Sequence, residues 1–128
     1  MSMRSYGKGK LERLFGIYSR KAELMAAAAM SVLLVHWLLV LWFIMARLGS
    51  LDFLRLHYTA ALGVDWIDSW WKIFAFPGFG LAVFLANGLL AGALSKSHRQ
   101  FGLLLMGVTI FLEVLFAMGG VMAILLNG

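Results

Sequence analysis

The chain has 128 residues, of which 62% are hydrophobic and 13% charged, against about 25% charged in an ordinary soluble domain. That balance excludes a water-soluble fold, and the absence of cysteine excludes disulfides, thiolate catalysis, iron–sulfur ligation and a lipoprotein anchor. The net charge of +5 would suit nucleic acid. However, six of the eleven basic residues (Arg4, Lys8, Lys10, Arg13, Arg20, Lys21) precede the first apolar run, a placement that points to membrane topology and anionic headgroups instead.

Residues 1–22 form a basic cytoplasmic or interfacial segment. Its first nine are polar and Gly-containing. From Lys10 to Lys21, Leu11, Leu14, Phe15 and Tyr18 follow i, i+3, i+4, i+7 spacing, which predicts an amphipathic helix lying in the membrane interface. A basic tail without regular structure is the alternative, given the short segment and Gly16. Leu24–Ala46 is a run of 23 residues without a formal charge. As helix it spans roughly 35 Å against a hydrocarbon core of about 30 Å. It reads as a first transmembrane span over 24–46, too long for a cleaved signal peptide and so a retained anchor. His36 lies near its midpoint.

Residues 47–72 are an aromatic segment too apolar to extend freely into water. Trp66, Trp70 and Trp71 lie here and Trp42 closes the preceding span, placing these indoles at one headgroup level. The segment is expected to fold back on the outer membrane surface and cap the bundle, with a short helix from Ser50 ended by Gly63. His57, Asp65 and Asp68 lack a metal-ligand spacing, and His36, His57 and His98 fall at different depths and cannot converge. The reading is therefore no catalytic site, no metal and no cofactor.

The second span covers 73–94, with Pro77, Gly78 and Gly80 near its start. The helix either begins at Pro77 or kinks there. A turn at 95–100 leads to the third span, 101–126, which holds the only carboxylate of the apolar runs, Glu113. The flanks 1–22 and 95–100 are basic, whereas 47–72 mixes Arg47, Arg55 and Lys72 with Asp52, Asp65 and Asp68. The positive-inside rule then places the N-terminus in the cytoplasm and the C-terminus outside, in a multi-pass protein of the cell (inner or plasma) membrane. The expected fold is all-α: three transmembrane helices, an N-terminal interfacial helix and a membrane-surface outer loop.

Counted from the cytoplasmic helix starts, His36 and Glu113 both fall roughly 18–20 Å deep, and Asn87 and Thr109 form a second depth-matched pair. An ionised carboxylate at mid-bilayer costs about 2.5–3.5 kcal/mol, so Glu113 needs a proton or a cationic partner. His36 is the candidate. The pair reads either as a proton or cation couple or as interhelical hydrogen bonding that sets helix register. Asn87 and Thr109 read as helix-to-helix glue. Gly88 and Gly92 form a GxxxG, and Ala27/Ser31 and Gly119/Ala123 repeat the small-xxx-small spacing that lets backbones approach.

The order Leu56-His57-Tyr58, Gly63-Val64-Asp65-Trp66-Ile67, Trp70-Trp71-Lys72, Pro77, Asn87 resembles a family of small, uncharacterised three-span membrane proteins of candidate-phylum bacteria. In that family a His-Tyr…Gly-Ile-Asp stretch precedes an apolar helix pair. The likeness covers about residues 55–127, with Val64 in place of Ile. It implies an architecture and a shared outer-loop motif (His57, Tyr58, Gly63, Asp65, Trp66, Trp70, Trp71), and no reaction.

The function these residues suit is a non-enzymatic accessory or structural subunit embedded in the bilayer, contacting anionic headgroups and packing against itself or a larger membrane complex. The rival is a small oligomeric transporter or proton/ion pathway using Glu113 and His36, with a holin-like pore-former behind it. Nothing resembles a nucleophile–base pair.

Overall fold

The computed structural model describes residues 20–47, 50 and 52–128. In chain order it contains α1 (Arg20–Arg47), β1 (Phe53–Thr59), β2 (Gly63–Ser69), a 3₁₀ helix (Trp70–Phe74), α2 (Ala75–Ser95) and α3 (Arg99–Asn127). The interfacial helix expected before Lys21 lies outside the described residues.

The three α-helices have 28, 21 and 29 residues. At 1.5 Å per residue they are roughly 42, 32 and 44 Å long, and each is long and apolar enough to cross a membrane. In α1, Leu, Ala, Met and other strong helix formers run uninterrupted by Gly or Pro. Of its buried residues, Ala29, Leu33, His36, Val40 and Phe43 form one stripe of three- and four-residue steps. The other faces are apolar as well, and Leu34, Leu38, Trp42 and Met45 are exposed. A helix apolar on every side needs an apolar medium around it.

α2 begins at Ala75, so Pro77 occupies the first turn, where its missing N–H is tolerated. The 3₁₀ helix before it extends the rod to Trp70–Ser95. α2 and α3 form an antiparallel hairpin whose turn is closed by the Ser97 and His98 amides, both donating to the Leu94 carbonyl. α3 is the central helix and packs on both others, while α1 and α2 meet less. Its buried face is Gly102, Met106, Thr109, Glu113, Gly120 and Ala123.

The outer segment departs from the all-α expectation. In place of a helix from Ser50 to Gly63, β1 and β2 form an antiparallel two-stranded hairpin. The physical reason is the two-residue alternation of Phe53 to His57: Leu54 and Leu56 point inward and are buried, while Phe53, Arg55 and His57 face out. Such a pattern would put its apolar residues on opposite sides of a helix. Gly63 has φ +74°, a left-handed conformation that closes the turn 60–62 and starts β2. The Leu62 amide donates to Thr59 Oγ1 within that turn.

The hairpin seats Leu54 and Leu56 on one end of the helices. There they join Val40, Phe43, Ile44, Ile73 and Ala123 in an apolar cluster flanked by Trp70, Phe74 and Phe76.

Candidate functional site

Polar groups gather in two places, the interior of the helical bundle and the hairpin end. In the interior, Glu113 and Thr109 are 0% exposed and His36 is 1% exposed. Thr109 is fully bonded. Its hydroxyl donates to the Leu105 carbonyl at 2.8 Å and accepts from Asn87 Nδ2 at 3.0 Å. The depth-matched Asn87 and Thr109 thus tie α2 to α3.

His36 and Glu113 do not hydrogen-bond to each other. Both ring nitrogens and both carboxylate oxygens are buried with no hydrogen-bond partner among the described residues. The reason is helix stagger. Arg47 Nη1 donates to the Asn127 carbonyl where the parallel helices α1 and α3 end together. Further down α1, His36 Nε2 lies against Gly120, seven residues, or about 10 Å of helix, beyond Glu113 on α3. Counting from helix starts, as the sequence allows, misses this stagger because the starts are not level.

Glycines face both groups. A Cβ on Gly80 of α2 would lie 2.5 Å from Glu113 Oε2 and 3.1 Å from Leu33 Cδ1, and a Cβ on Gly120 of α3 would collide with His36 Nε2. Any side chain at either position would therefore displace a polar group. The GxxxG of α2 does not play this part. Gly92 is buried, but a Cβ on Gly88 would meet nothing within 4 Å. The close approaches are at Gly80, Gly102, Gly119 and Gly120, of which the small-xxx-small spacing marks Gly119.

At the hairpin end, the Asn127 side chain treats β1 as a neighbouring strand would. Its Oδ1 accepts from the Arg55 amide at 3.0 Å and its Nδ2 donates to the Arg55 carbonyl at 2.7 Å, as well as to the Ala123 carbonyl at 2.7 Å. Arg47 completes the clamp by donating to the Asn127 and Gly128 carbonyls at 2.6 and 3.1 Å. Neither residue was singled out by sequence pattern; a lone Asn and Arg at helix ends carry no long-range signal.

Across the hairpin, His57 Nδ1 and Asp65 Oδ1 are 2.7 Å apart and exposed. Irregular register beside them leaves Asp65 without a paired residue opposite. Asp68 collects three donors: Lys72 Nζ at 2.5 Å, the Ser69 amide at 2.8 Å and Trp66 Nε1 at 3.3 Å. The Lys72 hydrogen bond, followed by that of the Ser69 amide, holds the Asp68 carboxyl below its ordinary range.

Of the other outer-motif residues, Trp70 packs edge-on to Phe74, Trp66 lies against Phe76 and the Lys72 ammonium sits over Trp71. Tyr58 is exposed. Trp37 of α1 stacks on Phe74 with centroids 6.0 Å apart. The aromatic residues therefore join hairpin, 3₁₀ helix and α1, in addition to facing outward. Among the described residues, no three His, Asp or Glu side chains converge as metal ligands.

No protein-family model matches the chain, and no curated protein or solved structure matches it.

Proposed function

We propose that this chain is a multi-pass protein of the cell membrane that serves as a non-enzymatic accessory or structural subunit, displaying its β-hairpin on the outer side. The observation that carries the reading is the continuous apolar exterior. Leu38, Trp42 and Met45 on α1, Leu85 and Leu89 on α2, and Leu104, Phe111, Met118 and Leu125 on α3 are all exposed. Soluble monomers rarely expose apolar patches above a few hundred Å². A lipid surround, with partner helices over part of it, accounts for this exterior.

The charges support the orientation. Arg20, Lys21, Lys96 and Arg99 sit at the end of the bundle away from the hairpin, where Glu23 is the acidic residue among the described residues. At the hairpin end Arg47 and Lys72 are engaged locally, among Asp52, Asp65 and Asp68. The subunit role rests on the small share of polar interior and on a hairpin clamped rigidly to two helices. An apolar groove of about 370 Å³ between Val32 of α1 and the Val114–Leu125 face of α3 suits helix packing against itself or a larger complex.

Because the chain has no cysteine, single substitutions report topology cleanly. Leu62→Cys in the hairpin turn should label with a membrane-impermeant maleimide in intact cells, and Ser97→Cys only after permeabilisation. The reverse pattern refutes the orientation. Native mass spectrometry from lipid nanodiscs tests the subunit role: a defined oligomer or stoichiometric complex is expected, and a monomer alone removes it.

A further inference from the structure

We propose that the cavity where β1 meets the end of α3 binds the phosphodiester of an anionic glycerophospholipid, with the Arg55 guanidinium as the binding group. The proposal rests on the reading of the three helices as membrane-spanning and goes beyond the subunit role.

The cavity has a volume of about 450 Å³ and is lined by Phe53, Leu54 and Arg55 of β1, Ile67 of β2 and residues 126–128 at the end of α3. Arg55 and Asn127 supply the polar side chains of this wall. The Asn127 amide is fully engaged: Oδ1 accepts from the Arg55 amide, and Nδ2 donates to the Arg55 and Ala123 carbonyls. The Asn127 and Gly128 carbonyls accept from Arg47.

What remains is the Arg55 guanidinium, which has no hydrogen bond, ion pair or ring contact among the described residues. The two other Lys and Arg side chains at this end are compensated. Arg47 meets the two carbonyls and the Phe43 ring, and Lys72 meets Asp68. The side-chain capacity left open in the cavity therefore consists of donors, five N–H groups in a planar fork. Such a fork matches two oxygens of a phosphodiester.

Two further observations make the source of that phosphodiester a lipid. Phe53 and Ile67 flank Arg55, which pairs with Ile67 across the hairpin, and they are 70% and 59% exposed. Leu125, next in the chain to the wall residue Leu126, is exposed too. A free phosphate leaves these apolar side chains bare, whereas the glycerol and first methylenes of a lipid cover them. The second observation is height. α3 is roughly 44 Å long, against a hydrocarbon core of about 30 Å and a bilayer of about 40–45 Å with its headgroups. The end of α3, and with it Arg55, lies among the headgroups.

The wall also selects the headgroup. No acidic side chain lines the cavity, so the ammonium of a choline or ethanolamine lipid meets no carboxylate there. A hydroxyl headgroup, as in phosphatidylglycerol, leaves one phosphodiester charge balanced by one guanidinium.

The test uses the full chain in phosphatidylcholine nanodiscs containing phosphatidylglycerol with a photoreactive diazirine on its headgroup. After illumination, crosslinked peptides are located by mass spectrometry. Crosslinks to residues 53–67 or 126–128 are expected, falling roughly tenfold in Arg55→Gln, as loss of a charge-assisted pair requires. Lys96→Gln, at the other end of the bundle, should leave them unchanged. Asn127 holds the backbone of Arg55, so Arg55→Gln keeps the clamp, and unchanged hydrogen–deuterium exchange in β1 checks this.

Absence of these crosslinks, or equal crosslinking in Arg55→Gln, overturns the site. On the wild type alone, equal labelling by a phosphatidylcholine analogue overturns the headgroup choice. Displacement by excess soluble glycerol phosphate overturns the lipid source. Failed crosslinking with the expected maleimide pattern removes the site and leaves the membrane reading standing. Arg55-dependent crosslinks with the reversed maleimide pattern support the site and refute the orientation alone.

Discussion

Replacing Asn127 with Ala removes both hydrogen bonds by which α3 holds the edge of β1. The Asn127 amide donates to Arg55 O at 2.7 Å and accepts from Arg55 N at 3.0 Å. A net protein hydrogen bond contributes about 0.5–1.5 kcal/mol, so the pair contributes about 1–3 kcal/mol. Arg55 is exposed, and water replaces part of what is lost, which places the expected value near the middle, about 2 kcal/mol. That is a roughly 30-fold change in the equilibrium between docked and released hairpin. Hydrogen–deuterium exchange in nanodiscs reads it directly. Amides of β1 should exchange about 30-fold faster in Asn127→Ala, while those of α3 around Thr109 keep their protection. Unchanged exchange in β1 would show that Leu54 and Leu56 alone seat the hairpin. Equal acceleration throughout α3 would show general loosening, and either result refutes the clamp.

Gly120→Ala places a methyl against His36 Nε2 and should lower unfolding stability by about 1–3 kcal/mol, as overpacking does; in the His36→Ala background the loss should disappear, measured by a double-mutant cycle in detergent titration. Thr109→Val removes the acceptor of Asn87 Nδ2 and should cost about 0.6–1.7 kcal/mol in the same assay. Asp68→Asn tests the hairpin junction by pH. Lys72 and the Ser69 amide depress the Asp68 carboxyl below its ordinary value of 3.8, so its stabilisation is complete above that value and is lost as pH falls through the lower folded-state value. Fluorescence of the neighbouring tryptophans should be flat from neutral pH down to about that value and change below it in the wild type. The variant should lack that acid step.

Much of the helical frame was legible in the chain because apolar runs of this length state their own need for an apolar medium. The hairpin was not read, although its signal was present. Leu54 to His57 alternate apolar and polar, but a segment of high overall apolarity beside a membrane span invites a helical reading. Gly63 was recognised as a stop, and its positive φ agrees; it closes a strand turn where a helix end was expected. The Asn87–Thr109 contact could be found by matching depths, since both lie on the directly connected antiparallel pair α2–α3. The His36–Glu113 match overlooks helix stagger, which sets His36 Nε2 against Gly120, seven residues beyond Glu113, because α1 and α3 are separated by the hairpin and α2, and nothing local sets their relative height.

What the sequence by itself determined is therefore the set of three long apolar helices and the isolation of one acid and one imidazole within them. Hydrophobicity and charge are properties of residues and survive without any knowledge of packing. The tertiary structure alone decided which polar groups are satisfied. Arg47 and Asn127, distant in sequence, meet where α1 and α3 end. Along the same helices Glu113 faces Gly80 and His36 faces Gly120. Register is a relation between helices, fixed by contacts at their ends and by the seating of Leu54 and Leu56, and no single segment contains it.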